Sequence, residues 1–160
     1  MPHEGMVHAL EEIHRLLKPS GTLIEIHPAV ERPPFVEVRS NGQLFFSEED
    51  PVFDYEQDLR RAEAAVESVL DRGLFVLEDR RRFELRTHAA SVKEMRDHWT
   101  LVGAYDPEEP EETLVRWRDE MYARAAAVLD EVPDKRELVY VEPALMSRLV
   151  PSHPRGRRLR

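Results

Sequence analysis

A chain of 160 residues, 41% hydrophobic and 34% charged, has the make-up of one globular domain that can bury a core without disulfide or metal staples. Its net charge of −9 argues against broad nucleic-acid binding, and the lack of cysteine removes disulfides, thiol nucleophiles and thiolate metal sites. The glycines, at 5, 21, 42, 73, 103 and 156, stand too far apart to form a glycine-rich phosphate-binding turn.

Met6, Leu10, Ile13 and Leu17 recur every three or four residues and predict a first helix. Pro19 stops it and Ser20-Gly21 supplies a turn. Thr22–Ile26 then predicts a short strand that Pro28 ends. Phe35–Val38 and Gln43–Phe46 flank Asn41-Gly42, the pair that tolerates the positive φ angles of a tight turn, so a β-hairpin is predicted near 35–46. A second helix over 54–72 carries Tyr55, Leu59, Ala62, Val66 and Val69 on one face, with Gly73 placed to end it. Strand-like sequence follows, Leu74–Leu77 and then alternation of Phe83, Leu85 and Thr87 with Arg82, Glu84 and Arg86.

Ser91-Val92-Lys93-Glu94 is a capping box, opening a short helix through Trp99. Asp106–Pro110 opens a longer helix with Leu114, Trp117, Met121, Ala125 and Val128 as its stripe. Glu137–Glu142 predicts a last strand, which Pro143 ends or bulges. The order implies an α/β sheet with at least one antiparallel connection near the C-terminus. The longest apolar run, Ala125–Leu129, is far too short to span a membrane, and no secretory leader is evident, so a cytoplasmic protein is expected. Residues 154–160 hold four arginines and read as a basic, flexible tail on a single domain over 1–153.

The stretch from Ala9 to Pro28, with Leu17-Lys18-Pro19-Ser20-Gly21 leading into an apolar strand, resembles class I S-adenosylmethionine-dependent methyltransferases. In those enzymes a helix ending in Leu-Lys-Pro-Gly-Gly leads into the fifth strand. The resemblance implies a truncated methyltransferase-like, Rossmann-like sheet with helices on both faces and the hairpin added near 35–46. The 54–72 helix would then follow the fifth strand, and 74–88 and 137–150 would be the two final antiparallel strands. The family's cofactor-binding turn and acidic residue precede this helix and have no counterpart here. The resemblance therefore implies no cofactor for the chain alone, and S-adenosylmethionine only if a partner completes it. It further implies that the 22–27 strand loses a neighbour, leaving an edge for the hairpin, a second copy or an N-terminal methyltransferase half to cover.

Few residues suggest chemistry. His3, His8 and His14 lie near Glu11 and Glu12, but a solvated polar face explains them better than a metal site. His27, at the carboxyl end of its strand, and Tyr55 are the residues nearest to where the family's substrate pocket opens. No catalytic, cofactor-binding or metal-binding residue is assigned. Glu48-Glu49-Asp50 reads as a helix-preceding acidic run that complements a helix dipole, and Arg80-Arg81-Arg82 as an ion-paired sheet surface. Trp99, Tyr105, Trp117 and Tyr122 read as core or interface anchors. The expectation is a non-catalytic homodimeric binding or interaction module; the alternative is half of a methyltransferase awaiting its cofactor-binding part.

Overall fold

The computed structural model describes residues 3–50, 56–103, 112–132 and 135–152. Its elements run α1 (His3–Leu16), β1 (Leu23–Pro28), β2 (Phe35–Ser40), β3 (Gln43–Glu49), α2 (Glu56–Asp71), β4 (Phe75–Ala89), α3 (Val92–Gly103), α4 (Glu112–Glu131) and β5 (Arg136–Pro151). The protein is α/β, with a five-stranded antiparallel open sheet and, among the described residues, four helices. None of these helices is long and apolar enough to cross a membrane. The chain forms two compact units: Met1–Val30, Tyr55–Phe83 and Ala144–Arg160 make the first, Glu31–Asp54 and Glu84–Pro143 the second.

In the first unit, α1 and α2 meet through part of the stripes anticipated from their spacing, Leu10 and Ile13 on one and Val66 and Val69 on the other, with Val7 and Leu70 added. Val7, Leu10 and Ile13 of α1 pack with Val66, Val69 and Leu70 of α2 against Leu23, Leu74, Phe75 and Leu149. Each large side chain removed from water here contributes ~2 kcal/mol to the fold. β1 runs antiparallel to the end of β5, from Leu23 opposite Leu149 to Pro28 opposite Ala144. The turn into β1 is tight: the Gly21 amide donates to the Lys18 carbonyl at 2.7 Å. A Cβ on Gly21 would meet Leu17 and that same carbonyl at 2.9 Å, which is why glycine stands there. At the end of α2, Gly73 adopts φ +69, its amide bonds Leu70 O, and the Leu74 amide reaches Val69 O. That pair of bonds is the glycine-terminated helix end expected from the sequence.

In the second unit, β2 and β3 form the expected hairpin, with Asn41 at φ 49 and Gly42 at φ 80 in its turn. A bulge lies between Val38 and Arg39. β2 also pairs antiparallel with the start of β5, Phe35 opposite Val141 through Ser40 opposite Arg136. Ser91 caps α3: its Oγ accepts from the Glu94 amide at 3.2 Å, while Glu94 Oε2 accepts from the amide of Ala90, one residue before the cap, at 2.7 Å. Val36, Val38, Leu138 and Tyr140 of the strands pack with Met95 of α3 and Met121, Tyr122, Ala125 and Leu129 of α4.

Two details differ from those drawn on the residue pattern, the end of β5 and the stripe of α4. β5 continues through Pro143, because that residue falls between the stretch paired with β2 and the stretch paired with β1, where neither register asks it for a bond. β4 is one strand, close to the 74–88 stretch that the resemblance implied. It pairs with β5, and the charged stretch Glu78–Arg82 is tolerated because most of the strand is exposed. On α4 the buried stripe is Met121, Tyr122, Ala125 and Leu129, while Trp117 is exposed. An apolar face wide enough to meet a sheet takes in neighbouring helix positions that a single file of residues omits.

Candidate functional site

Alternation along β1 decides what each side chain meets. Leu23 joins the core of the first unit, Glu25 and His27 follow on the same side, and Ile24 and Ile26 lie on the other, 50% and 53% exposed. His27, with its side chain 8% exposed, is the candidate site residue described here. Its Nδ1 lies 2.5 Å from Glu25 Oε1. Its Nε2 lies 3.6 Å from Glu63 Oε1 on α2, close enough for charge attraction but beyond hydrogen-bond reach. Opposite Glu25 in the register is the fully buried Ser147, whose Oγ accepts from Arg80 Nε at 3.2 Å.

Electrostatically, His27 is an imidazole held between two carboxylates. The hydrogen bond to Glu25 raises its pKa above the ordinary value, burial opposes that, and the Glu25 charge and Glu63 add to the rise. Glu25 Oε2 and His27 Nε2 are buried with no hydrogen-bond partner among the described residues. The cluster ties strand to helix, and its carboxylates favour the protonated form of His27; no group of three or more His, Asp or Glu among the described residues could hold a metal ion. Tyr55, the second candidate, lies outside the described residues, as do Tyr105, the 106–110 segment and the basic tail.

The N-terminal histidines divide. His8 stays on the polar face, 3.7 Å from Glu11, and Glu12 binds Arg15 at 2.9 Å. His14 instead packs edge-on against Phe75, centroids 5.2 Å apart, with its Nε2 buried. Its place beside Ile13 on the helix carries it to the margin of the apolar face. Arg81 pairs with Asp79 at 2.7 Å, in keeping with an ion-paired strand.

The second unit holds a polar cluster that the sequence reading missed. Asp50, 3% exposed, accepts from Arg118 Nε at 3.0 Å and Nη2 at 2.9 Å, and from the Tyr140 hydroxyl at 3.1 Å. Burial works against the Arg118 charge, but the hydrogen bond and charge of Asp50 hold its pKa above the ordinary value. Glu48 likewise forms a bidentate pair with Arg124. The acidic run therefore docks β3 onto α4 instead of complementing a helix dipole. Beside it, Trp99 packs edge-on to Tyr140 at 4.6 Å, and Arg96 lies over the Tyr122 ring at 5.2 Å. Burial, aided by the Asp50 charge, pushes the Tyr122 hydroxyl up to about 12. The only sequence signal for this cluster was the apolar spacing of α4, which says nothing about which acid its arginines face.

Within this sequence, neither connection from a strand into a helix, 50–55 or 90–91, contains the glycine that the family's cofactor turn requires. Compared with known proteins, the chain matches no protein family, no curated protein and no solved structure.

Proposed function

We propose that this chain is a methyltransferase-like, non-catalytic binding module that works as a homodimer, with β1 as the strand through which it associates. One observation carries the reading. β1 pairs with β5 along one edge, no strand among the described residues takes its other edge, and Ile24 and Ile26 stand exposed beside it. An open strand edge flanked by apolar side chains is a template for another strand, and closure by a second copy across a two-fold axis needs no other component.

The first unit supports the methyltransferase likeness. It consists of a helix, the strand after Leu17–Gly21, a following helix, and parts of two final strands that pair with each other. These are the elements that the resemblance assigns to the C-terminal half of that fold. In that fold the corresponding edge is filled by a strand of the N-terminal half. That same edge favours a second reading, in which an N-terminal methyltransferase half supplies the neighbouring strand and the cofactor site.

Sedimentation velocity on the chain at micromolar concentration tests the homodimer. The expected result is a dimer that Ile26→Lys converts to monomer, because a lysine at a desolvated apolar contact weakens association by about 100-fold or more. A wild-type chain that sediments as a single monomeric species overturns the reading.

A further inference from the structure

We propose that His27 is a proton-operated clasp between β1 and α2: with a proton on Nε2 the ring draws Glu63 towards the strand, and without it the same contact turns repulsive. The clasp lies within the first unit and does not depend on how the chain associates.

Hydrogen bonding settles the tautomer. Glu25 and His27 are two residues apart on β1, so their side chains stand on one side of the strand. His27 Nδ1 lies 2.5 Å from Glu25 Oε1. An ionised carboxylate only accepts, so Nδ1 carries a proton to make this bond. A neutral imidazole has one N–H and one bare nitrogen. With the proton pinned on Nδ1, neutral His27 presents a lone pair at Nε2, whereas the imidazolium presents a second N–H there.

The position of Glu63 turns that difference into a change of sign. Its Oε1, on α2, lies 3.6 Å from Nε2, which is buried with no hydrogen-bond partner among the described residues. In the charged state a cation meets a carboxylate. In the neutral state two acceptors confront each other, and two carboxylates flank the ring with no positive charge between them. The hydrogen bond to Glu25 holds the His27 pKa above its ordinary value against the opposing effect of burial, with Glu63 adding to the rise. The clasp is therefore closed below that raised value and opens as pH climbs through it.

The surroundings supply no second switch. From β5, Leu145 stands opposite His27 and Ser147 opposite Glu25, and Arg80 of β4 bonds Ser147 Oγ at 3.2 Å. Arg60 and Glu67, one turn to either side of Glu63 on α2, are exposed. Of these charged groups, Glu25 and Glu63 are the two that act on the His27 proton.

NMR titration of the full chain, with histidine rings labelled by nitrogen-15 and spectra taken from about pH 5 to pH 10, reads protonation and tautomer directly. His27→Gln assigns the ring. Nuclear Overhauser effects from the His27 ring protons to the Glu63 side chain report the distance across the contact. The expected result is a neutral ring that keeps its proton on Nδ1, with the effect to Glu63 lost as the ring deprotonates. Glu63→Gln should lower the His27 midpoint by about 0.5 pH unit, the size of a partly exposed charge pair. It should also keep the contact at high pH, because a glutamine amide can donate to the bare Nε2. A neutral ring protonated on Nε2, an effect to Glu63 that persists through the wild-type midpoint, or a ring still protonated at the top of the range overturns the clasp. An unchanged midpoint in Glu63→Gln, folded by its circular-dichroism spectrum, overturns it as well.

Discussion

Asp50 is the most sharply defined electrostatic element of the second unit, and neutralising it gives a quantitative test of the packing. Asp50→Asn keeps the shape but removes the charge that Arg118 grips through two bonds and that Tyr140 also reaches. Losing one partner of a fully buried ion pair costs about 3–5 kcal/mol. The Arg118 side chain is 32% exposed, so water recovers part of its solvation and the expected loss falls to about 2 kcal/mol. With a denaturant slope of about 2 kcal/mol per molar in urea, the unfolding midpoint drops by roughly 1 M. Tyr140→Phe deletes only the third bond and should cost about 1 kcal/mol. The assay is equilibrium urea unfolding followed by circular dichroism, with protein concentration fixed because association contributes to apparent stability. An Asp50→Asn midpoint within about 0.2 M of wild type would refute the view that this pair anchors β3 to α4.

Two further outcomes follow from the first unit. Because the folded-state pKa of His27 is raised, its share of stability is fully present below about 6.5 and is lost as pH rises through the folded value. Urea midpoints measured across that window should therefore fall with rising pH, and His27→Gln should flatten this component. Gly21→Ala places a methyl group against Leu17 and the Lys18 carbonyl, so a loss of about 1–3 kcal/mol is expected in the same assay.

Local chemistry was legible where a single residue type enforces it. Asn41-Gly42, Gly73, Ser91 with Glu94, and Gly21 each do in the structure what their backbone or capping chemistry demands. The periodicity of α1 and α2 likewise marked the faces that meet in the first unit. The lengths of β4 and β5 match the 74–88 and 137–150 stretches that the resemblance implied, whereas the residue pattern alone stopped the last strand near Pro143, because a proline between two registers looks like a break until the pairing is known. The Asp50 cluster was invisible for the same reason: its partners lie 68 and 90 residues away in the chain. His27 stood out by its place at a strand end, but its bond to Glu25 and its approach to Glu63 depend on how α2 settles beside β1.

Amide hydrogen exchange at Ile24 and Ile26, followed at protein concentrations above and below the dissociation constant of the dimer, tests the association through β1 most directly. If a second copy covers the open edge, both amides exchange slowly in the concentrated sample and rapidly on dilution, while the amides of Leu23 and Glu25 stay protected at both. Rapid exchange of Ile24 and Ile26 at every concentration, in a sample that sediments as a dimer, would place the interface elsewhere and contradict the account.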